Sequence, residues 1–157
     1  MVDFVKSFQQ GLTLADIARK NKAEIRSVFD ELNTQLNPVT EGKIQIELMS
    51  YELEKNPVAK PSKGSIRAAL STWHQQDDAI TGESPHNIYD TIGARNLLVK
   101  NSPPKELAKW SQNPRGYPCT ITIGKTEYVC ENKEALERTL ATMLQHPSVG
   151  EILQTLL

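Results

Sequence analysis

Apolar residues between positions 13 and 36 recur every three or four residues, which is the spacing of one face of an α-helix. Thr13 is a suitable N-cap, Asp16 favours the positive start of a helix, and Pro38 limits its far end. The pattern predicts one long amphipathic helix over residues 13–36, preceded by a short helical turn at residues 3–10. Its apolar positions are Leu14, Ile17, Ala18, Ile25, Val28, Phe29, Leu32 and Leu36.

Strict alternation of apolar and polar residues predicts a strand over residues 43–48 and a β-hairpin over residues 117–130. Gly124 occupies the first of two turn positions in the hairpin, where a type II′ connection needs a positive φ angle. In the register that this turn sets, Cys119 faces Cys130 across the two strands. The other opposed pairs of this register are Ile121 with Tyr128 and Ile123 with Thr126.

Helix-start signals follow the hairpin. Asn132 caps a predicted helix that Pro147 ends, and Ser148 and Glu151 form a capping box for a last helix. Strands mixed with helices, and an antiparallel hairpin, predict an α+β fold in which a small antiparallel sheet is packed by the long N-terminal helix and two C-terminal helices. The length of the chain suits a single domain over residues 1–157.

The middle of the chain, residues 66–100, is the region where the pattern is least clear. Ser-Pro pairs at positions 84–85 and 102–103 carry the N-cap and first-turn proline of helix starts, and a brief strand is predicted over residues 96–100. Residues 56–65 contain two prolines and a glycine. This composition predicts a flexible connection between an N-terminal helix-strand unit and the C-terminal part.

Composition and charge narrow the class of protein. Hydrophobic residues make up 38 % of the chain and charged residues 24 %, with a net charge of −1, which argues against a disordered chain and against broad nonspecific binding to nucleic acid. The N-terminus has no secretory signal pattern, and no run approaches the roughly 20 apolar residues of a membrane span. Because two cysteines are too few for a secreted disulfide scaffold, we predict a soluble cytoplasmic protein that binds no membrane.

The opposed thiols of Cys119 and Cys130 have two interpretations. Their α-carbons would lie about 5.5 Å apart, within the range of a disulfide, so a reversible bond would make the protein a thiol-based redox sensor. Alternatively both are reduced core residues, since free cysteine is among the most buried residue types. His74 lies near Asp77 and Asp78 at no defensible ligand spacing, so no metal, cofactor or catalytic residue is predicted.

Arg19, Lys22 and Arg26 form a basic cluster within the predicted helix. Residues 14–28 can be aligned with a helix-turn-helix register, in which these side chains would contact DNA and the protein would be a DNA-binding regulator. The turn would lie at Asn21 and Lys22, where no glycine occurs and the apolar period continues. One continuous helix with the cluster on a solvated face is therefore the preferred interpretation, and a nucleic-acid partner is not expected.

The same helix can be written in heptads, which would allow a homodimer through residues 13–36 with the polar Asn21 fixing its register. The alternative is that this stripe packs on the protein's own sheet. The two seam positions are occupied by Ala18, Ile25 and Leu32, and by Leu14, Asn21 and Val28.

The loop that leads into the hairpin is the predicted partner-binding site. Trp110, Arg115 and Tyr117 are of the residue types that anchor protein contacts. The chain has no glycine-rich phosphate loop, no Gly-x-Ser-x-Gly elbow and no His-Glu-x-x-His motif. The leading hypothesis is a small, non-enzymatic intracellular protein that binds another protein, as inhibitors, immunity proteins and adaptors do.

Overall fold

A computed structural model describes residues 1–53 and 87–157 of the chain. Its helices are α1 (Phe4–Leu36), α2 (Lys133–Leu144) and α3 (Pro147–Leu156), and its strands are β1 (Ile44–Leu53), β2 (Asn87–Asn96), β3 (Lys105–Asn113), β4 (Gly116–Ile123) and β5 (Thr126–Cys130). The five strands form one antiparallel sheet in the order β1-β2-β3-β4-β5. The predicted α+β fold is therefore confirmed, including the long N-terminal helix and the two C-terminal helices.

The chain divides into two compact units. The larger unit holds residues 1–50 and 90–157, with the three helices and most of the sheet, and the smaller unit holds residues 51–89. In the described part of the smaller unit, the rings of Tyr51 and Tyr89 stack with their centroids 5.6 Å apart. Outside the described residues lie the predicted connection 56–65 and the group of His74, Asp77 and Asp78.

Helix α1 begins nine residues earlier than the sequence pattern predicts. Asp3 is the N-cap, and its side chain accepts a hydrogen bond of 3.0 Å from the backbone N–H of Lys6. The hydroxyl of Thr13 donates to the carbonyl of Gln9, so Thr13 lies within the helix and not at its start. The predicted turn at residues 3–10 and the predicted helix 13–36 are thus one continuous element.

The hairpin has the predicted register. Cys119 pairs with Cys130, and the remaining pairs between β4 and β5 follow as expected. Gly124 has a φ angle of 61°, and Lys125 has no positive φ angle, which agrees with a type II′ turn. Both cysteines and Ile121 are fully buried on one side of the ribbon.

Strands occupy both places where Ser-Pro pairs predict helices. β2 follows the pair at 84–85, and β3 follows the pair at 102–103, so both predicted helix starts are wrong. The strand predicted over residues 96–100 is also wrong, because β2 ends at Asn96 and the chain then bends.

A β-bulge explains why the sequence of β3 resembles a helix. Ile92 of β2 pairs with Ala108, but the next residue of β2 pairs with Glu106, so Leu107 is an extra residue in β3. Leu107 and Ala108 are both buried, which interrupts the two-residue alternation of a strand. Together with the buried Trp110, these positions acquire the three-residue spacing that is typical of a helix.

The two C-terminal helices begin at related but different caps. The side chain of Asn132 accepts a hydrogen bond of 2.9 Å from the N–H of Ala135, as predicted for the start of α2. Helix α3 begins two residues before the position implied by the capping box, with His146 as N-cap and Pro147 in its first turn. Ser148 does not cap this helix, and its hydroxyl lies 2.7 Å from Nδ1 of His146.

The second half of α1 packs on the sheet. The ring of Phe29 meets Trp110 edge to face with centroids 5.8 Å apart, and α1 also contacts β4 and α2. The side-chain amide of Asn33 exchanges two hydrogen bonds of 2.8 Å with the backbone of Ile46, in the strand at one end of the sheet order. These bonds satisfy backbone groups that an edge strand would otherwise present to another chain. The core includes Ile25, Val28, Ile44, Ile46, Ile92, Ile121, Leu136, Leu140, Met143 and Val149.

Candidate protein-binding surface

The predicted contact residue Trp110 belongs to the core. Its side chain is 6 % exposed and packs against Phe29, so it cannot anchor a partner at the surface. The reason is its position in β3, where it shares the buried face with Ala108. Partner binding through Arg115 and Tyr117 stays a prediction.

The turn that carries Arg115 is fixed against α1. The side-chain amide of Asn21 donates a hydrogen bond of 2.9 Å to the carbonyl of Arg115, whose N–H in turn donates to Asn113. Gly116 has a φ angle of 94°, and a β-carbon there would lie 2.5 Å from the β-carbon of Asn21. The turn is therefore rigidly seated, with the Arg115 side chain exposed.

Tyr117 lies partly buried beside the same turn. Its hydroxyl is buried and has no hydrogen-bond partner among the described residues. Burial, together with the negative charge of Glu24, raises the pKa of Tyr117 to about 12. The phenol therefore stays neutral at physiological pH.

Cys119 and Cys130 are free thiols that are completely buried. The thiol of Cys119 points to the carbonyl of Cys130 at 3.8 Å, and the thiol of Cys130 donates to Oγ1 of Thr139 at 3.4 Å. Thr139 donates its own proton to the carbonyl of Ala135. The interaction with Cys130 and burial raise the pKa of the Cys119 thiol. Both thiols thus donate hydrogen bonds to oxygen atoms of the fold. A redox role for this pair stays a prediction.

The basic cluster lies on an unbroken helix. Helix α1 continues through Asn21 and Lys22, so the turn of a helix-turn-helix register does not exist at that position. Arg19 forms an ion pair with Asp16 at 2.5 Å. The DNA-binding alternative therefore loses the structural feature on which it depended.

Lys22 and Arg26 line a cleft of about 410 Å³ between α1 and the sheet. Its lining combines both signs of charge, because Asp30 and Glu47 lie there too, and it includes apolar side chains such as Phe29. Within residues 1–53 and 87–157, no three histidine, cysteine or acidic side chains converge as metal ligands. The cleft therefore presents no arrangement that identifies a reaction.

The predicted homodimer seam is occupied within the chain. Ile25 and Val28 are buried in the core, and the amide of Asn21 is bonded to Arg115. The stripe written in heptads over residues 13–36 therefore packs mainly on the protein's own sheet, which was the alternative interpretation. Ile25 and Val28 are therefore not available for pairing between chains, while Leu14 at the start of the seam is exposed.

The first half of α1 is different, because nothing in the described structure covers it. We call residues 4–20 the arm; at 1.5 Å per residue it is about 25 Å long. Every residue from Met1 to Ile17 is exposed, including Phe4 at 78 % and Phe8 at 66 %. The other large apolar side chains in this exposed stretch are Met1, Val2, Val5, Leu12, Leu14 and Ile17.

Five residues form an apolar strip along the arm, which we call the arm stripe: Phe4, Val5, Phe8, Leu12 and Ala15. The last four follow one another at steps of three, four and three residues, which places them on one side of the helix. The same three- and four-residue steps continue from Ala15 to Arg19, Lys22 and Arg26 on this side of the helix. Lys22 and Arg26 line the cleft between α1 and the sheet. An apolar surface thus gives way to a positively charged one along a single helix face.

Sequence reasoning missed the arm stripe because it began the long helix at Thr13 and made residues 3–10 a separate short turn. The signal was present in the spacing of Phe8, Leu12 and Ala15, which is out of phase with Leu14, Ala18 and Ile25. Two apolar seams therefore lie on different faces of one helix. None of the helices in the described ranges combines the length and apolar composition that crossing a membrane requires.

Comparisons of the chain with models of known protein families, with curated proteins and with solved structures find no match.

Proposed function

We propose that this protein acts by binding another protein chain, without catalysis, and that the arm is the element that binds. The observation that carries the proposal is the exposure of Phe4 and Phe8 in the part of α1 that precedes its docked half, where every residue from Met1 to Ile17 is exposed. Full burial of each such side chain is worth roughly 1.5–3 kcal/mol. A contiguous exposed apolar surface of this kind is typical of a protein interaction site.

The spacing of the arm stripe suits one mode of recognition. Phe4, Phe8 and Leu12 follow one another at four-residue steps, so their side chains project from one side of the helix. Amphipathic helices that bind in an apolar groove use anchors at such steps. The expected partner therefore presents an elongated apolar groove or an apolar helix face.

The rest of the protein holds the arm in place. The bonds of Asn21 to Arg115 and of Asn33 to Ile46 fix the second half of α1 on the sheet. A free helix as short as the arm is marginal in water, but here it continues a helix that is already nucleated and docked. Binding then requires less ordering of the chain than binding by an isolated peptide.

The proposal is tested by crosslinking and then by affinity. A photoreactive phenylalanine analogue at position 8 is expected to crosslink the arm to its partner in cells, and mass spectrometry identifies the crosslinked peptide. With both proteins purified, Phe8→Glu is expected to weaken binding at least 50-fold in isothermal titration calorimetry, because it places a charge in an apolar contact.

Leu98→Glu is the matched control. Leu98 is 68 % exposed, close to the value for Phe8, but it lies on the connection between β2 and β3. It should leave the affinity unchanged. Equal affinity of the native chain and Phe8→Glu, or crosslinks that appear with equal yield from position 98, would contradict the arm as the binding element.

A further inference from the structure

We infer that the chain that binds the arm is a second copy of this protein, and that the two arms pack side by side in antiparallel orientation. This inference rests on the proposed function and adds the identity of the partner. It is carried by the heptad spacing of the arm stripe and by the position of the positive charges beyond it.

The arm stripe has the spacing of a coiled-coil seam. Val5 and Leu12 occupy one seam position, and Phe8 and Ala15 occupy the other. No charged residue lies at these positions, since Asp3, Lys6 and Asp16 lie at other heptad positions. Two such seams can therefore meet without burying an unpaired charge.

The charges that follow the seam determine its orientation. The next three seam positions are Arg19, Lys22 and Arg26, and neither Lys22 nor Arg26 has an ion-pair partner among the described residues. Parallel arms would bring Lys22 and Arg26 of one copy against the same two residues of the other, whereas Arg19 is already paired with Asp16. Like charges in direct opposition destabilise such a contact.

Antiparallel arms separate the same charges. If Phe8 of one copy lies opposite Leu12 of the other, the two Lys22 residues are 24 helical positions apart, or about 36 Å. This distance is several times the Debye length of about 8 Å at physiological salt. The electrostatic difference therefore favours the antiparallel arrangement.

The same register packs large side chains against small ones. Phe8 meets Leu12 of the second copy, and Val5 meets Ala15, while Gly11 lies beside Gly11 at the flank of the seam. A β-carbon at Gly11 would have no neighbour within 4 Å among residues 1–53 and 87–157, so the described fold does not require glycine there. Small residues at a helix crossing allow close approach of the two backbones, which accounts for a residue that weakens an exposed helix.

The expected affinity follows from the area. Two phenylalanines and two aliphatic side chains of the arm stripe could bury at most about 500 Å² in each copy, compared with about 800 Å² per partner in a standard interface. The contact is therefore a small one, and we expect a dissociation constant in the micromolar range.

Sedimentation equilibrium of the purified full chain between 1 and 500 µM tests the dimer. The native chain is expected to pass from monomer to dimer over this range, and Phe8→Glu and Leu12→Glu are each expected to weaken dimerisation at least 50-fold. Leu98→Glu should leave it unchanged. A native chain that is monomeric at 500 µM, or a dimer that Phe8→Glu does not weaken, would overturn the inference.

The orientation is measured with a spin label on an added cysteine, Lys20→Cys. The native cysteines are buried, so the label is directed to position 20, and unmutated protein is the labelling control. Antiparallel arms place the two labels about 30 Å apart, whereas parallel arms place them within about 15 Å. If the chain is monomeric but the photoreactive arm crosslinks to a different protein, this inference fails while the proposed function stands.

Discussion

The two halves of α1 have the same secondary structure and opposite surroundings. Residues 21–36 place their apolar side chains on the sheet, where Ile25 and Val28 are almost completely buried. Residues 4–20 carry a comparable number of apolar side chains, and those of Phe4 and Phe8 are exposed. The comparison shows that helical periodicity predicts which face is apolar, but not whether that face is covered by the same chain.

The largest expected effect comes from the same substitution in each half. Phe29→Ala is expected to lower the free energy of unfolding by about 3–5 kcal/mol, because it leaves a cavity beside Trp110. Phe8→Ala should change it by no more than about 0.5 kcal/mol, since Phe8 is already 66 % exposed in the folded chain. Urea unfolding at a protein concentration well below the expected dissociation constant of the dimer measures both values.

A loss of several kcal/mol in Phe8→Ala would show that the arm is covered by its own domain. The comparison between the two halves would then be wrong, together with the proposed binding element.

The parts of the fold that follow local rules could be predicted from the sequence. The hairpin register depends on alternation and on Gly124, and both lie within one short stretch of chain. The cap of α2 depends on Asn132 alone. Each of these features is determined by residues that are close in sequence.

The parts that depend on distant residues could not be predicted. The bulge at Leu107 is defined by its pairing with β2, and it changed the apparent period of β3 from strand to helix. The burial of Trp110 depends on Phe29, which lies in another element. The arm was missed for a related reason. Thr13 is a residue type that often caps helices, but here its hydroxyl donates to the carbonyl of Gln9 inside a helix whose N-cap is Asp3.

Two glycines provide a second, smaller contrast between the halves of α1. Gly116 of β4 lies against Asn21 in the docked half, and Gly11 lies in the arm. Gly116→Ala is expected to lower the free energy of unfolding by about 2 kcal/mol, because its positive φ angle and the approach of Asn21 leave no room for a β-carbon. Gly11→Ala should raise it by up to about 1 kcal/mol, because alanine is the better helix former at an unhindered position.

Thermal or urea unfolding of the two variants, at a concentration where the native chain is monomeric, gives the signs directly. Destabilisation by Gly11→Ala under these conditions would mean that the arm packs closely against its own domain. An unchanged stability of Gly116→Ala would remove the argument that the Arg115 turn is rigidly seated on α1.

The smallest effect is expected at Tyr117, where the docked half of α1 acts through Glu24. Burial and this carboxylate raise the pKa of the phenol from 10.0 to about 12, so the neutral form is favoured in the folded state. The unfolded chain ionises this phenol at a lower pH than the folded chain does. The stability of the folded state is therefore unaffected by the phenol below pH 10 and falls as the pH rises towards 12. Tyr117→Phe cannot ionise, and it also removes a buried hydroxyl that has no hydrogen-bond partner among the described residues. At pH 7 the free energy of unfolding of Tyr117→Phe should therefore lie between that of the native chain and about 1 kcal/mol above it.

The difference in unfolding free energy between the two proteins should stay constant between pH 7 and 9 and grow in favour of Tyr117→Phe between pH 10 and 12. A constant difference across the whole range would mean that the phenol is solvated, and that the docked half of α1 encloses this end of β4 less completely than its hydrogen bonds indicate.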